Sequence, residues 1–256
     1  KGYQFDGISI RKVLDTKDRA DWPDRMLVTD SQRVRDPIKW KQSSVMSQGW
    51  RLVNGEELYH IDKDPGQAKN VAGEHPDRLA EMIAFYDTWW AELEPTFAET
   101  TELHVGHKDH PVVSLTSHDW IQKDLTPWNQ GHTRSKYPLR PGKQAKHEGH
   151  WALKVLRTGT YQVDVLRWPS ESGKAINEEL PPGSEVPGAS KAFRAQVGQA
   201  ISAKSATLRL NGKDVMTKPV KNGAKRVVFE TMLTKGKHKL SPFFNVPEGE
   251  LGCYYA

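Results

Sequence analysis

Cysteine is nearly absent. Cys253 is the only one in 256 residues, so no disulfide can form within the chain. That neither demands a reducing compartment nor excludes an oxidising one. Cys253 sits in Gly252-Cys253-Tyr254-Tyr255 without a histidine close by, which argues against a nucleophile and for a half-buried thiol on a terminal strand. No apolar run approaches the roughly twenty residues that a membrane span needs. The chain holds no Gly-x-Ser-x-Gly nucleophile elbow, no phosphate-binding glycine loop and no internal repeat. It opens at Lys1 without Met and without a signal-peptide pattern, which reads as an internal start within a longer chain.

What is present describes a soluble, globular chain with room for one large or two modest domains: 36% hydrophobic and 27% charged residues. A net charge of +5 favours anionic partners such as nucleic acid or a sulfated glycan through long-range steering. The lysines from Lys204 to Lys239 are spread along alternating strands rather than gathered in a run. They read as a solvated sheet face, and nucleic acid is not the expected partner. Nine tryptophans could stack on sugars, but most read as core.

The stretch Trp50 to Gly66 reads as two strands joined by Asn54-Gly55, because both turn residues must take positive φ and Asn and Gly tolerate it. Asp64-Pro65-Gly66 stops the second strand. Before it, Arg25–Asp30 and Ser43–Ser47 are expected strands, with Ile8 to Leu14 leading into a short helical turn. Between them Ser31 to Lys41 is a cationic loop with one exposed tryptophan, Trp40. After it, Pro76 to Leu93 is a helix. Proline suits the first helical position, and Leu79, Met82, Ile83, Tyr86, Trp90 and Leu93 share one face. This helix is expected to cover a sheet of about four antiparallel strands.

Residues 101–145 lack periodicity and read as an irregular linker, with a boundary near Ser117-His118-Asp119-Trp120. His104, His107 and His110 lie in it at a spacing that fits neither a helix nor a strand face, so a solvated cluster is expected rather than zinc ligands. From Trp151 the pattern turns to period two: Trp151–Leu156, Tyr161–Trp168, Phe193–Val197, Ala206–Leu210, Val227–Leu233 and His238–Phe244. Asn211-Gly212 and Lys235-Gly236-Lys237 read as hairpin turns. The fold class expected is therefore α+β: a small antiparallel sheet under one long helix in residues 1–100, then an all-β antiparallel sandwich in 146–256.

The run Trp50-Arg51-Leu52-Val53-Asn54-Gly55-Glu56-Glu57-Leu58-Tyr59-His60-Ile61-Asp62-Lys63-Asp64-Pro65-Gly66-Gln67 resembles the segment that closes the C-terminal subdomain of formylglycine-dependent sulfatases of the arylsulfatase family. Phe5-Asp6-Gly7-Ile8-Ser9 with Val13-Leu14 is similar to the segment leading into that subdomain. Asp30 to Val34 and Pro37 to Trp40 resemble a bacterial subgroup in which this loop lies at the mouth of the active site.

The resemblance implies an intact enzyme that hydrolyses sulfate esters, with sulfated glycans among the substrates it could take, exported to the periplasm or secreted. It implies a formylglycine nucleophile and a calcium ion, the ion acting as Lewis acid and template. Both would belong to an N-terminal catalytic domain preceding Lys1. No Cys/Ser-x-Pro-x-Arg motif occurs here. The nearest approach, Lys136-Tyr137-Pro138-Leu139-Arg140, has lysine in the nucleophile's place. Residues 1–256 alone are therefore expected to be inactive, with no catalytic or metal-ligating residue of their own. Gln32, Arg33, Lys39, Trp40 and Lys41 become the expected substrate contacts: cations for sulfate or carboxylate, the indole for a ring. The plainer alternative is a solvated loop whose charges pair with Asp30 and Asp36. For the second half, Tyr161-x-Val163-x-Val165 and Lys235 to Leu240 resemble strands of carbohydrate-binding sandwiches. A structural module that caps the enzyme or mediates assembly is the alternative.

Overall fold

The structure is a computed structural model and describes residues 6–16, 22–32, 34, 36–122, 130–137, 149–184, 187–188 and 196–256. Arg33, the Pro138–Arg140 part of the near-miss motif, His147 (expected, like His150, to be solvated rather than a metal ligand) and most of the expected strand at 193–197 lie outside the described residues. The chain divides into two compact units, Lys1–Glu99 and Thr100–Ala256.

Unit 1 opens with a short helix α1 (Arg11–Thr16) and continues through β1 (Leu27–Asp30), β2 (Ser43–Ser47), β3 (Trp50–Val53) and β4 (Glu57–His60) to α2 (Pro76–Leu93). The strands form one antiparallel sheet in sequence order. Alternation sorts its faces. Val28, Val45, Leu52 and Leu58 stand opposite one another in a row across all four strands. The last three are fully buried with Met82, Tyr86 and Trp90 of α2. Each such side chain contributes roughly 1.5–3 kcal/mol of burial. The other face carries the row Leu27, Met46, Arg51 and Tyr59 and is only partly covered. Asn54 and Gly55 turn β3 into β4 with φ of 50° and 77°, as a two-residue hairpin requires.

Unit 2 is a β-sandwich. One sheet joins β5 (Leu103–Val105), β6 (Trp151–Val155), β11 (Gly236–Leu240), β8 (Ser205–Leu210), β12 (Phe243–Val246) and β13 (Gly249–Gly252), with β9 (Lys213–Pro219) on the other side of β8. The second layer is the ribbon of β7 (Gly159–Leu166) and β10 (Arg226–Leu233), paired over their full length. Between them lie Trp151, Val155, Val165, Leu208, Phe229, Phe244, Leu251 and Cys253, all nearly inaccessible.

Several expectations are corrected. The sandwich is not wholly antiparallel, because β5 runs parallel to β6. The described part of the stretch read as a linker is built into unit 2: it supplies β5, and Leu115, Ser117 and Trp120 are buried there. Lys235-Gly236-Lys237 is not a hairpin turn. It carries the chain from β10 in one sheet to β11 in the other, as Arg157-Thr158 carries it from β6 to β7. The His238–Phe244 strand breaks at Ser241-Pro242, where proline has no N–H for the ladder. Cys253 is fully buried rather than half-buried, and burial pushes its thiol pKa well up.

A buried cation fastens unit 2 internally. Arg167 donates to the carbonyls of Thr133 and Ser135 at the C-terminal end of α3 (Gln130–Arg134), where the helix carries partial negative charge. It lies over the Trp168 ring at 4.0 Å, and burial lowers its pKa to about 10.

Candidate functional site

Two places can be built from the residues upward. The first is the Asp30 to Lys41 loop of unit 1, where the expected substrate contacts lie. Gln32 is occupied with the loop itself: its side-chain NH₂ donates to Ile38 O (2.8 Å) and Asp30 Oδ2 (3.1 Å), and its oxygen accepts from Ile38 N (2.9 Å). Lys39 pairs with Asp87 of α2 at 2.9 Å, with both side chains nearly half exposed. The expected partners Asp30 and Asp36 are not the ones it uses. Asp30 instead accepts from Gln32 and from the Tyr86 hydroxyl.

Trp40 was expected to be exposed but is half-buried. It stacks on Tyr86 with centroids 3.7 Å apart and planes 23° from parallel. Its backbone N–H donates to the Tyr86 oxygen. Burial raises the Tyr86 pKa. The ring also lies against Gly55: a Cβ there would sit 2.8 Å from the indole. Lys41 is exposed. The loop thus has a braced base formed by Gln32, Lys39 and Trp40, with Lys41 pointing outward from it.

The second place is a groove in unit 2, of about 1010 Å³. One wall is β7; the opposite wall is residues 111–116, and the far end is closed by Tyr255 and Ala256. Val113, Leu115, Val163 and Leu233 give it apolar lining, and Gln162, Asp164, Glu171 and Arg226 a polar margin. Arg226 holds Asp164 at 2.9 Å, and Gln162 donates to the same carboxylate at 2.8 Å. Arg157 donates to Gly106 O, and Tyr161 donates to Arg157 O at 2.7 Å. Gly106 is required here: a Cβ would collide with the Tyr161 hydroxyl. Tyr161 and Val163, singled out by their strand pattern, line this groove. Its other wall comes from a segment without periodicity, which left the groove invisible in the sequence.

The histidine run does not converge. His104 is exposed on β5, while the His107 and His110 rings lie 5.7 Å apart, centroid to centroid. Among the described residues no group of three His, Cys, Asp or Glu side chains is placed to hold a metal ion. No described helix is long and apolar enough to cross a membrane.

No family model and no curated protein matches the chain. Among solved structures, a family 35 carbohydrate binding module from an environmental isolate aligns with 56% of this chain and 90% of its own, at 12% identity and a TM-score of 0.29. A superposition that loose decides nothing about a ligand.

Proposed function

We propose that the chain is the non-catalytic C-terminal part of a sulfatase-like enzyme: unit 2 is a carbohydrate-binding or structural β-sandwich module, and unit 1 is the subdomain that rims the substrate pocket. The catalytic core, with its formylglycine and calcium, lies upstream in this reading. The substrate is a sulfated small molecule or glycan met outside the cytoplasm.

What supports the unit 1 half is one connection. The glycine of the sulfatase-like hairpin, Gly55, is the seat of Trp40 in the loop that the same resemblance places at the pocket mouth. The stretch that carries the likeness therefore sets the height of the loop. What supports the unit 2 half is the groove beside β7, apolar inside and hydrogen-bonding at its margin, which is how ligand sites are commonly lined.

Two measurements test the unit 1 half. Residues 1–256 alone give no calcium-dependent turnover of a chromogenic aryl sulfate, and turnover would overturn the assignment of the core to an upstream domain. In the intact enzyme, Lys41→Ala and Arg33→Ala raise KM for a sulfated substrate with kcat largely kept. Unchanged KM in both variants removes the rim role. The unit 2 half is tested by isothermal titration of the chain with neutral and sulfated oligosaccharides.

A further inference from the structure

Among the described residues β7 is laddered along one edge only, by β10, while the other edge carries a single bridge from Leu166 to Tyr255. Its hydrogen-bonding parity is set by Leu166, whose N–H donates to Tyr255 O, away from β10. In an antiparallel pair successive residues face alternate sides. Thr160, Gln162 and Asp164 therefore turn their backbone N–H and C=O away from β10, toward the groove. The register of β10 agrees: Val228, opposite Asp164, has its carbonyl turned outward, where it accepts from the Lys218 ammonium at 2.8 Å. Among the described residues no hydrogen bond reaches the backbone of Thr160, Gln162 or Asp164.

At its closed end the slot beside this edge already holds one strand. There Tyr255-Ala256 lies between β7 and Leu115, bridging to Leu166 on one side and exchanging two backbone hydrogen bonds with Leu115 on the other. Two walls with one strand between them stand about 9–10 Å apart. The groove continues the same track past Asp164 and Gln162 to Thr160, still walled by residues 111–114. Inward of the track lie Val163, Leu233 and Leu240; outward lie the side chains of Gln162 and Asp164. Open strand edges of this kind are usually blocked by charge, proline or a bulge. Here the edge is recessed in a groove instead, so that a chain of the right shape can reach it.

We infer that unit 2 binds an extended peptide segment of another protein by strand addition to the free edge of β7. The segment runs antiparallel to β7 in line with Tyr255. It directs aliphatic side chains inward opposite Tyr161 and Val163, and polar ones outward opposite Gln162 and Asp164. Main-chain hydrogen bonds supply the affinity and the alternate side chains the selectivity. The inference deepens the module reading of unit 2 by naming a protein partner for the groove. It does not depend on the reading of unit 1.

The test is titration of the chain with an eight-residue peptide of alternating valine and threonine, read by calorimetry and by amide hydrogen exchange. Saturable binding is expected, with exchange slowed at the amides of Thr160, Gln162 and Asp164. The same peptide N-methylated at alternate residues loses its donors and is expected to bind at least tenfold more weakly. Absence of saturation, equal binding of the methylated peptide, or protection confined to other strands would overturn the inference. Protection of these amides by heparin or a neutral hexasaccharide, with none by the peptide, would also overturn it while leaving unit 2 a carbohydrate-binding module.

Discussion

Replacing Gly55 by alanine tests whether the hairpin positions the 30–41 loop. The new Cβ meets two difficulties. Gly55 has φ of 77°, in the left-handed region, where an L-residue costs about 1 kcal/mol relative to glycine. It also lies 2.8, 3.0 and 3.2 Å from three atoms of the Trp40 indole, so the ring must move. Moving it weakens a stack with Tyr86 that contributes about 0.5–1.5 kcal/mol beyond its buried area. Gly55→Ala should therefore cost unit 1 about 1.5–2.5 kcal/mol. In a Trp40→Ala background the collision is gone, and only the backbone cost of about 1 kcal/mol remains. A double-mutant cycle measured by urea unfolding, followed by circular dichroism, separates the two. Equal costs in both backgrounds would refute the seating of Trp40 on Gly55.

Asp64 accepts from the Lys69 backbone N–H and from neighbouring backbone donors, which hold its pKa below the ordinary carboxylate value. A depressed pKa contributes stability above the unfolded value that is lost as pH falls through the folded one. Asp64→Asn should flatten the acid limb of unit 1 stability in pH-dependent urea melts. Cys253, buried with a raised pKa, should react with Ellman's reagent only as unit 2 unfolds, the rate rising with denaturant in step with loss of circular dichroism. Rapid native labelling would contradict its placement. Arg167→Met removes the donors to the carbonyls of Thr133 and Ser135 and should cost about 2–6 kcal/mol at roughly 1–3 kcal/mol per lost bond to a buried group. A neutral or stabilising outcome would mean that desolvation of the guanidinium outweighs its two bonds.

The helix and the hairpin were legible because local rules decide them. Pro76 and the 3.6-residue stripe set α2, and Asn54-Gly55 sets the turn. Strand existence in unit 2 was legible as well, from alternation. Pairing was not, since period two says which residues face inward but not which strand lies alongside; hence the crossing at Lys235–Lys237 was mistaken for a hairpin turn. β9 and β13 escaped notice because one is largely exposed and the other is only Gly249-Glu250-Leu251-Gly252. The loop of unit 1 was recognisable as cationic, yet nothing in its letters says that Gln32 bonds back to Ile38 or that Lys39 reaches Asp87. The groove was the least legible feature. It joins β7, residues 111–116 and Tyr255-Ala256, and its main attribute is an edge of β7 that no described strand ladders.

The order of pairing also governs how each unit is reached from the unfolded chain. Every ladder in unit 1 joins strands consecutive in the sequence, so its sheet can grow by short loop closures and form quickly. In unit 2, Leu115 must find Ala256, β5 must await β6 and β6 must await β11, so large loops are closed before the contacts repay them. During synthesis unit 1 is complete long before the sandwich can be. The sandwich cannot close until Tyr255 and Ala256 have emerged to bridge Leu166 and Leu115.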